Sequence, residues 1–238
     1  MLSPDFQTIV QYYPSELGWV QYDDFLRQLV VGQGCRRICE IGGGANPALP
    51  IEFVREHGLD YLIVDISESE LAKAPKGYRT RVLDMARPIE PVSENCDLVI
   101  SKMLAEHVAD ARQFHLNVHG MLRPGGLAFH FFPTLYTPPF VLNCLMPERL
   151  AYTLLNQLQP GRESSGRNAK FPAYYRWCRG PMKGQWARFG SLGYQVRSYW
   201  GFYGHEPYYR KIPPLLACHR ALCRWLLRHP VQIGRAHV

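Results

Sequence analysis

Short runs rich in Ile, Val and Leu recur along the first half of the chain and stop at polar residues: Arg37-Ile38-Cys39-Glu40-Ile41, Tyr61-Leu62-Ile63-Val64-Asp65, Arg81-Val82-Leu83-Asp84-Met85 and Cys96-Asp97-Leu98-Val99-Ile100-Ser101. Runs of this length and composition predict buried strands. A Pro-Gly-Gly turn at 124–126 feeds a fifth strand over 127–132, and a sixth is expected over 194–200. Between the strands the apolar period lengthens to that of helices. Trp19, Tyr22, Phe25, Leu26 and Leu29 share one face of a helix over 18–31, and further helices are expected after Pro47, from about 102 to 122, over 139–158 and over 214–230. Strands alternating with helices predict an α/β fold built on a parallel sheet with helices on both faces.

The first strand ends in unusual chemistry. Glu40 is followed by Gly42, Gly43 and Gly44, then Asn46 and Pro47. Successive glycines suit a loop that needs positive φ and close backbone approach to a ligand, and a helix start behind it would favour bound polar groups. A second acid, Asp65, closes the next strand about 20 residues later, the spacing at which a βαβ unit presents a carboxylate to ribose hydroxyls. Asp84 closes the third.

With these residues in place, the sequence resembles a class I S-adenosylmethionine-dependent methyltransferase of the broad small-molecule group. The resemblance covers residues 35 to about 133. It implies a Rossmann-like sheet, S-adenosylmethionine as cofactor, and a cofactor site of Glu40, Gly42, Gly43 and Gly44 for the methionine half, Asp65 and Ile66 at the ribose, Asp84 and Met85 at the adenine, and Ser101 at the fourth strand's end. The turn Arg123-Pro124-Gly125-Gly126 matches the one before that family's fifth strand. Asn46 stands where a third motif glycine is common, and Asn tolerates left-handed backbone. A nicotinamide-dependent oxidoreductase would satisfy the glycine and ribose-acid spacing but leaves Glu40 and Asp84 without a task. A non-catalytic binding subunit of the same fold is the third reading.

After Ser101 the string Glu106-His107-Val108-Ala109-Asp110 lies beyond the carboxyl end of a strand, where open α/β sheets bind ligands. His107 is the candidate catalytic residue, as a general base for an acceptor hydroxyl; the competing reading is that it packs the start of the next helix. The helix over 18–31 is read either as a lid or as plain packing.

At 238 residues, 47% hydrophobic and 20% charged, the chain suits one globular domain. The expected parts are an N-terminal helical lid (1–34), a cofactor-binding core (35–133), an acceptor-side insertion (134–193), a last strand with a basic amphipathic helix (194–232), and a tail (233–238). Seven cysteines without a Cys-x-x-Cys pair argue against a zinc site or a disulfide framework, so no metal is expected and the setting is read as cytoplasmic. The first 30 residues lack the pattern of a signal peptide. Residues 124–147 are free of Asp, Glu, Lys and Arg, but their prolines break any membrane span.

Charge is polarised: residues 161–238 hold 14 Lys and Arg against Glu163 and Glu206, whereas 1–160 hold 13 against 18 acids. A basic half suits an acidic small-molecule, glycan or lipid-linked acceptor, or peripheral contact with an anionic membrane, unless the charges are simply solvated; nucleic acid is disfavoured for want of a recognised module. In the insertion, Phe171, Tyr174, Tyr175 and Trp177 alternate with Lys170, Arg176 and Arg179, a pattern that suits an aromatic or anionic acceptor as well as packed aromatics. The final residues Ile233-Gly234-Arg235-Ala236-His237-Val238 resemble the translation of a sequencing adapter. That reading predicts truncation, with a tail that makes no core contacts and a six-stranded parallel sheet lacking the antiparallel seventh strand usual in the family.

Overall fold

A computed structural model describes residues 10–90, 95–135, 172–204, 206, 209–229 and 235–237. The helix expected over 139–158 and the insertion residues Lys170 and Phe171 lie outside them. The strands are β1 (Val10–Pro14), β2 (Arg37–Ile41), β3 (Asp60–Asp65), β4 (Arg79–Val82), β5 (Cys96–Lys102), β6 (Leu122–Phe132), β7 (Tyr199–Tyr203) and β8 (Arg235–His237). They form one sheet in the order β1-β7-β8-β6-β5-β2-β3-β4. Every pairing is parallel except those of β8, which runs antiparallel between β6 and β7. The helices are α1 (Ser15–Val20), α2 (Tyr22–Gly32), α3 (Ile51–Glu56), α4 (Glu68–Leu71), α5 (Ala111–Met121), α6 (Lys183–Ser191) and α7 (Pro213–Arg228).

Side-chain alternation sorts the central strands into two cores. Ile38, Ile63, Leu98, Ile100, Phe129 and Phe131 point to one face and pack with Tyr22, Leu26 and Val30 of α2 and Val54 of α3. Cys39, Ile41, Leu62, Val64 and Val99 point to the other and meet Phe114, Val118 and Met121 of α5. The period of two thus decides which side chains Glu40 meets: it shares the α2 and α3 face with Ile38.

Several expectations are corrected. Instead of six parallel strands without an antiparallel one, the sheet has eight among the described residues, and the backbone of Arg235–His237 pairs with Phe131–Phe132 and with Trp200–Phe202. The tail therefore makes contacts that the expectation denied it. A short antiparallel strand satisfies backbone groups on two parallel edges that would otherwise lie side by side unpaired. The third strand starts at Arg79 and stops at Val82, so Asp84 lies just past it. All four residues of β4 are exposed, because an edge strand carries little apolar signal. The sixth strand runs over Tyr199–Tyr203 rather than 194–200. It contains Gly201, which reads as a breaker in sequence; a β-carbon there would fall 2.6 Å from the Tyr12 ring of β1. The single helix expected over 18–31 is two, α1 and α2, meeting at Gln21, and α2 buries Tyr22, Leu26 and Val30 against the sheet.

Candidate functional site

The carboxyl ends of β2 and β3 bring the first sequence-predicted residues together. Glu40 is 2% exposed, and its carboxylate accepts hydrogen bonds from the Tyr61 hydroxyl at 2.6 Å and from the Ala48 backbone N–H at 3.0 and 3.1 Å. Burial raises its pKa to about 7, against the opposing pull of those hydrogen bonds and of the Lys102 ammonium. A carboxyl of this kind carries a proton or a charge according to what is placed beside it.

The glycines fit around that carboxylate. A β-carbon built on Gly43 falls 2.7 Å from Glu40 Cδ, one on Gly42 falls 2.7 Å from Leu104 Cδ1, and one on Gly44 lies 3.1 Å from Asp65 Oδ2. Gly42 and Gly44 also have φ of +78° and +40°, a region that favours glycine. The loop closes locally through Gly42 N–H to Val64 carbonyl at 2.7 Å and Asn46 N–H to Gly43 carbonyl at 2.8 Å. Asp65, half-buried at the end of β3, accepts from Ser67 N–H at 2.9 Å through Oδ1, and its pKa is raised by burial. Glu40, Gly42, Gly43, Gly44 and Asp65 therefore form one contiguous patch.

The other predicted residues stand at varying distance from solvent. Ile66 is 67% exposed beside Asp65. Asp84 caps its own turn by accepting from Ala86 N–H at 2.9 Å and pairs with Arg87 at 3.1 Å. Met85 packs its side chain into the α5 core, while its carbonyl accepts from Asn117 at 3.0 Å. Ser101 is fully buried, its hydroxyl 2.8 Å from Nδ1 of His130. His130 is itself buried, with a pKa lowered to about 4 by loss of solvent.

His107 sits on a single 3-10 turn, Ala105–His107, after β5. Its Nδ1 is 2.8 Å from the Pro172 carbonyl, to which it must donate, and its Nε2 is 3.6 Å from Glu106 Oε1. Burial lowers the ring's pKa, so it is neutral near pH 7. The same turn receives the insertion: Tyr174 and Tyr175 donate their N–H groups to the Glu106 carbonyl at 2.7 and 3.0 Å. Met103, Tyr175 and Trp177 have φ between 49° and 59°, costly backbone for large side chains, which concentrates strain where insertion and turn meet.

Sequence reasoning missed three participants. Tyr61 holds the Glu40 carboxylate, and a tyrosine at the start of an aliphatic strand, in phase with Glu40, is the signal that was available. Lys102 places its ammonium 4.0 Å over the Tyr22 ring and 3.1 Å from Asp23, tying α2 to the end of β5. Tyr22 is buried beneath that ammonium.

Residues 40–130 match the protein-family model of a methyltransferase domain. No curated relative matches the chain. The citrinin polyketide synthase CMeT domain superposes with a TM-score of 0.51 at 18% identity, over 92% of this chain and 51% of that one. An S-adenosylmethionine-dependent methyltransferase from Mesorhizobium loti gives 0.47 at 20%, over 86% and 90%, and one from Clostridium acetobutylicum gives 0.44 at 16%, over 52% and 54%. The chain spans about half the length of the first solved structures that it matches, 54% and 46%. The fold is that of the class I methyltransferases, an α/β architecture with a mostly parallel central sheet flanked by helices. No helix among the described residues is long and apolar enough to cross a membrane.

Proposed function

We propose that the protein binds S-adenosylmethionine at the Glu40, Gly42–Gly44 and Asp65 patch and transfers its methyl group to a small-molecule, glycan or lipid-linked acceptor. The observation that carries this reading is the buried Glu40 carboxylate beneath a glycine loop that tolerates no side chain, inside the matched domain. The donor set fits the cofactor: a buried acid for the cationic methionine half, a second acid at the next strand for ribose hydroxyls, and bare backbone between them. When bound, the cofactor supplies an electrophilic methyl group on sulfur.

What remains for the protein is binding, alignment and exclusion of water. Glu40, held by Tyr61 and Ala48, fixes one end of the site, and Asp65 the other. The α2 helix closes one side through Lys102 and Asp23. His107 fastens the Pro172 segment to the turn after β5 by donating from Nδ1, and its Nε2 lies 3.6 Å from Glu106 Oε1, beyond hydrogen-bond distance. Near α2, an apolar cavity of about 190 Å³ is lined by Tyr22, Phe25, Phe129 and Trp200 among others. Its size suits one ring or a short chain, and none of the residues that line it belongs to the Glu40–Asp65 patch.

Purified protein incubated with methyl-labelled S-adenosylmethionine and pooled acceptors, separately aqueous metabolites, glycans and lipids, tests the reading. Label is expected in one pool, with the demethylated cofactor released in equal amount. Cofactor binding without label in any pool would leave a binding subunit instead.

A further inference from the structure

The last helix, α7, is built unlike those that pack on the sheet centre. None of its 16 residues is fully buried. Leu216, His219, Cys223, Leu226 and Leu227 are half-buried, on the side that meets β1 and β7. At 100° per residue, Leu215, Cys218, Leu222 and Trp225 fall in a separate stripe. That stripe faces outward, with Leu215 44%, Leu222 49% and Trp225 53% exposed.

The charges on the helix itself are all basic. Arg228 is exposed at the stripe's outer border, about 60° round the helix from Trp225, and Arg224 is exposed farther round, on the side away from Leu215; no ion pair engages either of them among the described residues. Arg210 and Lys211 lead into the helix. Only one acid, Glu206, occurs after Glu163 in the sequence, and Arg220 takes it with two hydrogen bonds of 2.7 and 2.6 Å. Glu16 of α1 also acts on α7, at His219, Arg220 and Cys223, whereas Arg224 and Arg228 make no ion pair among the described residues. A helix with an exposed apolar stripe, one arginine at its border and another on its polar side matches a surface that is anionic on top and apolar beneath, the layering of a bilayer with acidic headgroups. Trp225 adds an indole, whose ring suits the acyl boundary and whose N–H suits the headgroup level.

We propose that α7 docks the protein on an anionic lipid bilayer, with Leu215, Leu222 and Trp225 set into the interface, Arg228 against headgroup phosphates and Arg224 adding to the attraction from the helix's polar side. Docking of this kind is reversible and depends on charge, since the stripe is only about four turns long.

Co-sedimentation of the full chain with phosphatidylcholine vesicles, and with the same vesicles carrying phosphatidylserine, tests the proposal. Binding is expected to the second and not the first, and to be lost at high salt. Arg224→Gln with Arg228→Gln is expected to weaken binding by roughly tenfold or more, and Trp225→Ala to weaken it at unchanged salt dependence. These positions are exposed, so thermal melting of the variants should match the parent. Equal behaviour towards both vesicles overturns the proposal, as does binding that the variants leave unchanged. So does self-association in sedimentation velocity that Trp225→Ala abolishes, because the stripe would then be covered by a second copy of the chain.

Discussion

Glu40 is the residue on which most of the chemistry turns. Its raised pKa means that the folded protein holds a proton there which the unfolded chain releases between its ordinary value of 4.5 and about 7. Stability from this group is therefore lost as pH rises through that window, by about 3 kcal/mol at most. Thermal melting against pH should show this slope in the parent and not in Glu40→Gln, whose oxygen still accepts from Tyr61 and Ala48; parallel curves would place the proton elsewhere. A cationic ligand reverses the balance by favouring the carboxylate, so S-adenosylmethionine affinity should rise with pH across the same window in the parent alone. His107 is expected to behave as an anchor: His107→Ala should change turnover less than about tenfold with cofactor affinity intact, whereas a loss of about 10²-fold or more would make it the base. Glu40, Asp65 and the glycines were legible because strand ends and glycine runs are local signals. Tyr61 and Lys102 were not, because their roles arise only when neighbouring strands stand in register.

Among elements, the glycine loop is the one with no room to vary. Gly43→Ala would put a methyl group 2.7 Å from Glu40 Cδ, against a side chain fixed by two partners. The expected result is a loss of about 1–3 kcal/mol in stability, read by denaturant unfolding, together with weakened cofactor binding; a neutral effect on both would show that the loop relaxes freely. The central strands were readable from their apolar runs because they are buried on both faces. Elements at the sheet's margins were less so. Polar β4 hides its strand character at one edge, and Pro14 and Gly201 disguise β1 and β7 at the other, where pairing depends on distant chain. Three-residue β8 has too little pattern to be seen at all.

At the scale of the whole molecule, the sheet carries two kinds of surface. The carboxyl ends of β2, β3 and β5 gather Glu40, Asp65 and Lys102, while α7 lies with β1 and β7 at the far side of the sheet. Sequence charge already separated an acidic N-terminal part from a basic C-terminal one, and the fold turns that difference into distance between the Glu40–Asp65 patch and a basic helix. The proposed binding of S-adenosylmethionine belongs to the first of these surfaces. Isothermal titration of S-adenosylmethionine, its demethylated product and NAD into the parent and Asp65→Ala tests it most directly. The account predicts that the two sulfur ligands bind the parent at a single site, that NAD does not, and that Asp65→Ala weakens both by about 1.5–3 kcal/mol while remaining folded. Binding of NAD in their place, no binding of any of the three, or unchanged affinity in a folded Asp65→Ala would contradict it.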